Sequence, residues 1–118
     1  MRHRNAQRKL NVWSSYRKML LRNLGTSLVL NGKIVTTEAR AKELRRQIDW
    51  IMTRAKDQTL EAKRDVYAFF TSKEAAKRCI DEAPKKFGDK TGGYTRQFKL
   101  GERRGDCAKL VLVKLVLS

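Results

Sequence analysis

The N-terminal part of the chain carries dense positive charge and no acid. Residues 1–24 read MRHRNAQRKLNVWSSYRKMLLRNL and contain seven Lys and Arg, while the first carboxylate in the sequence is Glu38. Because like charges repel one another, this stretch needs an anion lying alongside it. Nucleic-acid phosphates and an acidic membrane surface are the two chemically natural anions, and a solvated protein face is the alternative for any charge run.

The length and the charge balance bound the class of protein. A chain of 118 residues forms one domain, with or without an arm, and it can bury a real hydrophobic core. The 28 Lys and Arg against 12 Asp and Glu give a formal net charge of +16. A solitary soluble enzyme has little reason to carry that much self-repulsion, whereas a protein that binds a polyanion has one.

Hydrophobic periodicity and turn residues predict seven elements after an extended arm over residues 1–13. Their order is α-β-α-α-α-β-β. The predicted bounds are a helix over 14–31, a strand over 33–36, helices over 38–56 and 59–70, a helix from a capping box at 71–74 to Pro84, and strands over 94–100 and 109–117. Pro84 is expected to end its helix because proline lacks the backbone donor that continues one.

The helix starts and the end of the arm are also predicted. Hydroxyl side chains that can accept from an unpaired backbone N–H are expected as N-caps: Ser14 or Ser15, Thr37, Thr59 and Thr71. Three apolar residues are expected to pin the arm to the domain: Leu10, Val12 and Trp13.

Each helix has a predicted core-facing side of apolar residues at helical spacing. In the first helix these are Tyr16, Leu20, Leu24 and Leu28. In the second they are Ala41, Leu44, Ile48, Ile51, Met52 and Ala55, with Trp50 also expected to pack. In the third and fourth they are Ala62, Val66, Phe69, Phe70, Ala75, Ala76, Cys79, Ile80 and Ala83.

The last two strands are expected to pair antiparallel. The final strand is apolar on both faces apart from Lys114. That pattern suits a strand covered by helices on one face and by another strand, an RNA surface or a partner protein on the other.

Charge is shared unevenly along the chain and separates a predicted solvent side from a predicted binding side. Residues 59–83 hold five cations and five acids. Residues 1–37 hold eight cations and no acid, and residues 84–109 hold eight cations and three acids. The two flanking segments are therefore predicted to form a nucleic-acid interface.

RNA is the expected nucleic acid. The sequence has no helix-turn-helix spacing, zinc finger or leucine zipper, and an irregular Arg-rich arm suits the contours of folded RNA. Aromatic rings available for base stacking are His3, Trp13, Tyr16 and Tyr94, although Trp13 and Tyr16 are equally well explained as residues at the edge of the core. Gly92 and Gly93 would let backbone N–H groups approach a phosphate, or would serve only a turn.

Catalysis, metal binding and membrane insertion find little support in the sequence. The one histidine lies on the arm, no carboxylate pair has the spacing of a two-metal nuclease, and Cys79 and Cys107 lack metal-ligand neighbours. No apolar run is long enough to span a membrane, and residues 1–15 lack the apolar segment of a signal peptide. We expect a cytoplasmic protein with reduced thiols, no cofactor, no metal and no small-molecule substrate.

Taken together, several motifs resemble one family, the bacterial large-subunit ribosomal protein of number seventeen. The matching residues are Met1-Arg2-His3-Arg4, Arg8, Leu10-Asn11, Ser14-Ser15, Arg17, Arg22-Asn23, Thr36-Thr37, Ala41-Lys42-Glu43-Leu44-Arg45-Arg46, Gly92-Gly93-Tyr94-Thr95-Arg96, Lys99, Gly101, Arg103 and Gly105-Asp106. The likeness covers essentially the whole chain and is weakest across 57–90.

The resemblance implies an α/β (α+β) two-layer domain, with helices packed on a small mixed three-stranded sheet. Residues 1–13 would form a basic RNA-binding arm and residues 14–118 a single ribosomal protein domain. The implied role is structural: binding 23S-type large-subunit ribosomal RNA near the rim of the polypeptide exit tunnel, beside neighbouring large-subunit ribosomal proteins. A free-standing nucleoid or RNA-chaperone protein is the alternative, and an RNA-processing nuclease a third hypothesis.

Residues from both basic segments and the second helix are predicted to bind RNA. They are Arg2, His3, Arg4, Arg8, Lys9, Asn11, Ser14, Ser15, Arg17, Lys18, Arg22, Lys42, Arg45, Arg46, Gly92, Gly93, Tyr94, Thr95, Arg96, Lys99, Arg103 and Arg104.

Overall fold

The predicted order of elements is confirmed. The computed structural model describes residues 3–116. Within that range the chain forms α1 (Ser14–Asn31), β1 (Lys33–Thr37), α2 (Glu38–Lys56), α3 (Leu60–Phe69), α4 (Lys73–Phe87), β2 (Thr95–Glu102) and β3 (Lys109–Leu115). Helices α1 and α2 lie on the sheet, while α3 and α4 pack against these two helices. The fold is therefore a helical layer on a sheet layer.

The sheet has the strand order β1-β3-β2, and both strand pairs are antiparallel. The expected antiparallel pairing of the last two strands is confirmed, but the sheet is antiparallel throughout rather than mixed, because β3 runs opposite to both of its neighbours. Strand β2 extends two residues past its predicted end. Gly101, at φ 111°, lies at a bulge after Lys99 that lets pairing continue to Glu102 opposite Lys109. The predicted end of the last strand, residue 117, lies outside the described residues.

The core-facing sides predicted for α2, α3 and α4 are confirmed. Leu44, Ile48 and Ile51 are fully buried on α2, and Val66 is fully buried on α3. Burial is equally complete at the small residues of α4, which allows that helix to approach α2 closely. The alanines and the cysteine predicted there, Ala75, Ala76, Cys79 and Ala83, are all 2% exposed or less.

The core-facing side predicted for α1 is confirmed only in part: Leu28 is buried and Leu24 packs against the core. Leu21, Leu28 and Val29 are buried together with Gly25, whereas Tyr16 is 58% exposed. A Cβ added at Gly25 would lie 2.8 Å from Cε1 of Phe69, so the glycine is what allows Phe69 to approach α1. Because glycine carries no apolar side chain, hydrophobic periodicity cannot recognise it as a core position, and the predicted side was displaced.

Of the four predicted N-caps, one forms the expected side-chain hydrogen bond. Thr59 accepts a hydrogen bond from the backbone N–H of Ala62 over 3.2 Å, as predicted. Thr37 occupies the N-cap position of α2 but makes no side-chain capping bond. Trp13, rather than a serine, precedes α1.

Ser72, rather than Thr71, precedes α4, so the predicted capping box does not form at Thr71. The Thr71 hydroxyl instead lies 3.1 Å from that of Thr26 on α1. The Thr71 backbone N–H also donates to the Thr26 hydroxyl, over 3.2 Å. Through these two hydrogen bonds, Thr71 holds the α3–α4 connection against α1.

Pro84 does not end α4, which continues to Phe87. A proline inside a helix leaves the carbonyl four residues earlier without its donor, and that carbonyl belongs to Ile80. The side-chain amide of Gln58 supplies the missing donor: its Nε2 lies 3.0 Å from the Ile80 oxygen and 2.9 Å from the Ala55 oxygen. The helix tolerates Pro84 because a distant side chain satisfies the orphaned carbonyl.

Candidate nucleic-acid interface

One buried carboxylate fixes the basic arm to α2. Oε1 of Glu43 accepts from the Arg8 backbone N–H over 3.1 Å and from Arg8 Nη1 over 3.3 Å, while Oε2 accepts from Arg17 Nη2 over 2.8 Å. Arg17 also donates from Nε to the Arg8 carbonyl oxygen over 2.8 Å. Glu43 is 1% exposed. The protein itself therefore supplies one of the anions that the N-terminal charge requires.

This arrangement changes how the arm is pinned. Leu10 packs against the core as expected, and Val12 is half-buried. Trp13 is 85% exposed, so the prediction that it pins the arm is wrong. The anchor that replaces it is Glu43, whose sequence signal is a carboxylate flanked by the buried positions Ala41 and Leu44 of α2.

Several predicted RNA-binding cations already have partners within the protein. Arg22 donates from Nε to the Phe69 carbonyl oxygen over 2.7 Å. Lys42 lies 3.2 Å from Oε1 of Glu38, which lowers the pKa of that carboxyl group. Together with Arg8 and Arg17, these side chains position the surface before any ligand is present.

Other predicted cations are exposed and form no ion pair within residues 3–116. They are Arg4, Lys9, Lys18, Arg45, Arg46, Arg96, Lys99 and Arg104. Arg2 lies outside the described residues. His3, Asn11, Ser14 and Ser15 are exposed along the arm and at the start of α1. The exposed rings of Trp13 and Tyr16 lie in the same region.

The loop between β2 and β3 is held in one shape by an ion pair. Arg103 donates from Nε and Nη2 to Asp106 over 3.1 and 2.5 Å, and the Ala108 N–H donates to Asp106 Oδ1 over 3.1 Å. The Arg103 bonds, supported by the Ala108 bond, lower the pKa of Asp106 to about 2. The loop therefore presents Arg104 on a fixed turn.

The glycine pair of the second basic segment is exposed, but the residues after it are not. Gly93 has φ 67°, the left-handed region that favours glycine. Tyr94 is 0% exposed and packs edge-on against Phe87 with ring centroids 5.3 Å apart, so its ring is not available for base stacking. Thr95 is 7% exposed. Tyr94 therefore anchors the loop from inside the core.

A further basic row, only partly anticipated, crosses the outer face of the sheet. Lys33 and Arg96 are both paired with Lys114, so three cations lie side by side across three strands. In the next row on the same face, Val35 and Phe98 flank Leu112 and are 55% and 46% exposed. Arg96 is among the predicted RNA-binding residues, whereas Lys33 and Lys114 are not. The alternation of exposed and less exposed residues along β1 and β3 is the signal that could have placed them on this face.

The described chain offers little for other kinds of site. Within residues 3–116, no group of three or more His, Cys, Asp and Glu side chains is arranged to hold a metal ion. Helices long and apolar enough to cross a membrane are likewise absent from this range. Burial raises the pKa of the Cys79 thiol to about 12, which leaves it protonated and unreactive at neutral pH.

Comparison with known proteins agrees with the motifs. The family model for ribosomal protein L17 matches residues 20–116. The large ribosomal subunit protein bL17 of Gemmatimonas aurantiaca is 45% identical over 118 residues, covering all of both chains. The bL17 protein of Desulforapulum autotrophicum is 44% identical over 116 residues, with 98% of this chain and 97% of the relative covered. That of Clostridium perfringens is 47% identical over 109 residues, with 92% and 96% covered.

Proposed function

Because this chain belongs to the ribosomal protein L17 family, we propose that it is a structural constituent of the large ribosomal subunit that binds large-subunit ribosomal RNA. The observation that carries the proposal is the set of exposed cations, unpaired within residues 3–116, on the arm, α1, α2 and the β2–β3 loop. The role requires no catalytic group, cofactor or small-molecule substrate.

The proposed mechanism is electrostatic. Residues 1–13 act as an RNA-binding arm on the domain formed by residues 14–118, and Glu43 sets the direction in which the arm leaves that domain. Lys9, Lys18 and the α2 pair Arg45 and Arg46 neutralise phosphates that RNA folding brings together. Arg104 and the exposed backbone around Gly93 provide a second contact on the other basic segment. Two contacts far apart in sequence let one small domain hold separate RNA segments in place.

The RNA proposed is of the 23S type, on cytoplasmic ribosomes, near the rim of the polypeptide exit tunnel. Neighbouring large-subunit ribosomal proteins are the second class of partner. The outer face of the sheet suits such a neighbour. Burial of the apolar side chains of Val35, Leu112 and Phe98 against a partner would be favourable, and the adjacent cations favour acidic side chains on that partner.

Binding specificity tests the function. We expect the full chain to bind a large-subunit ribosomal RNA transcript more tightly than a small-subunit transcript or duplex DNA at equal salt. Replacing Arg45 and Arg46 with Gln should weaken binding and make it less steeply salt-dependent, because fewer counterions are released. A matched control replaces Lys63 and Arg64 on α3 with Gln. Equal affinity for all three nucleic acids would contradict the proposal and favour a free-standing nucleic-acid-binding protein.

Directed cleavage tests the location. Cys107 is exposed and Cys79 is buried, so an iron chelate that generates hydroxyl radicals can be attached selectively to Cys107. In assembled large subunits, we expect strand breaks in large-subunit ribosomal RNA that forms the tunnel rim. Breaks confined to RNA far from the rim would contradict the proposed location.

A further inference from the structure

A groove lined by cations and one exposed indole lies between the arm, α1, α2 and α3. Its volume is about 820 Å³, and its wall includes Lys9, Lys18 and Arg22. Trp50 of α2 and Phe69 of α3 contribute aromatic surface. The arm that forms one side is the segment held by Glu43, so docking of the arm completes the groove.

Trp50 is the unusual member of this wall. It is 51% exposed, although the sequence predicts that it packs within the domain. Because about half of the Trp50 indole is exposed to water, it contributes less to the stability of the fold than a buried indole would. A half-exposed aromatic ring in a groove lined by lysines is the combination with which proteins stack a nucleic-acid base and bind its phosphate.

The charges around the groove also favour an anion. Within residues 3–116, Lys9 and Lys18 form no ion pair. The acid in the wall is Asp65, whose Oδ2 is occupied by Arg54 Nη2 over 2.7 Å. The groove therefore offers free positive charge, and its one carboxylate is already engaged.

We propose that this groove takes one unpaired nucleotide of the bound RNA, with its base against Trp50 and its phosphate beside Lys9 and Lys18. The inference rests on the proposed function and adds a specific contact to it. The groove volume falls in the range of pockets that enclose small ligands, and an unpaired base reaches it without melting a duplex. A peptide occupant would need acidic side chains for the lysines but would leave the stacking surface of Trp50 unexplained.

Fluorescence of Trp50 tests the proposal directly. In the full chain carrying Trp13→Phe, Trp50 is the remaining tryptophan. We expect short single-stranded oligoadenylate to quench its emission, and the same strand annealed to oligouridylate to quench it far less. Equal quenching by both RNAs, or quenching by neither, would overturn the proposal.

Affinity for a large-subunit ribosomal RNA transcript gives a second readout. Trp50→Ala should weaken binding about tenfold, in line with the loss of one stacked base, while Trp50→Phe should retain most of the affinity. Tyr67→Ala is the matched control, because Tyr67 is an exposed aromatic residue of α3 outside the groove wall. If Trp50→Ala binds as tightly as the parent chain, the nucleotide site is wrong and the proposed function stands. If the parent chain shows no preference for this RNA, the proposed function fails instead.

Discussion

Arg17 and Glu43 form a short ion pair that joins the first helix to the second. Arg17 Nη2 lies 2.8 Å from Glu43 Oε2, and the side chains are 18% and 2% exposed. Arg8 completes the cluster from the arm, at 3.3 Å from the other carboxylate oxygen. The first 37 residues contain no acid, and the arm is therefore docked on a carboxylate of α2, that of Glu43.

Removing this carboxylate should destabilise the fold. Glu43→Ala is expected to lower the free energy of unfolding by about 3 kcal/mol, since it leaves Arg17 in a largely buried position without a counter-charge. Urea unfolding followed by circular dichroism measures the change. Glu38→Gln is the control, because its partner Lys42 is a surface residue and the substitution should lower the free energy of unfolding far less than Glu43→Ala does. Equal midpoints for the two variants would show that Glu43 is not the anchor of the arm.

The hydrogen bond from Gln58 to Ile80 should stabilise the fold only while Pro84 is present. Gln58→Ala is expected to cost about 1 kcal/mol in the parent chain, because the Ile80 carbonyl loses its donor. In a Pro84→Ala background the alanine N–H can bond the same carbonyl, so the cost should fall. Thermal unfolding of both single variants and the double variant measures the coupling. Strictly additive effects would contradict the role assigned to Gln58.

The Cys79 thiol should make the fold less stable at alkaline pH. Burial raises its pKa from an ordinary 9.0 to about 12, so the unfolded chain loses the thiol proton first. The contribution of the protonated thiol to the free energy of unfolding is therefore fully present below pH 9.0. It is lost as the pH rises toward 12, at about 1.4 kcal/mol per pH unit. Cys79→Ala should remove this part of the pH dependence of the free energy of unfolding. Urea unfolding at a series of alkaline pH values measures it, and parallel slopes for parent and variant would rule out the effect.

The β2–β3 loop should keep its shape in acid. The pKa of Asp106 is lowered from 3.8 to about 2, chiefly by hydrogen bonding with Arg103. The stabilising effect of this lowered pKa is present above pH 3.8 and is lost as the pH falls through about 2. Carbon-13 NMR titration of the carboxyl group measures this directly. A midpoint at the ordinary aspartate value would mean that the Arg103 contact does not persist in solution.

Much of the helical layer was predictable because its apolar residues recur at a strong helical period. Leu44, Ile48 and Ile51 identify the buried side of α2 without any knowledge of its neighbours. The same method identified the buried side of α1 only in part, because Gly25 contributes to packing through the absence of a side chain. It failed at Pro84 because the compensating donor, Gln58, is 22 residues from the carbonyl that it satisfies.

The basic segments of the candidate interface were predictable from the sequence, but the spatial arrangement of their charged side chains was not. Composition located the two basic segments, but Arg17 and Glu43 are 26 residues apart, and periodicity does not reveal which distant charges pair. Tyr94 follows two glycines in an exposed loop, yet it is buried because Phe87 at the end of α4 reaches it. Trp50 shows the reverse error: a large aromatic ring in a core helix is expected to be buried, and this one is half exposed.

Sedimentation of a cell lysate tests whether the protein is a constituent of the large ribosomal subunit. With the full chain carrying a small C-terminal tag, sucrose gradients at moderate salt should place it in the large-subunit fraction and in intact ribosomes. It should remain with the large subunit when the subunits are separated at low magnesium. Recovery of the protein at the top of the gradient, or with nucleic acid outside the ribosomal fractions, would show that it is not a large-subunit constituent.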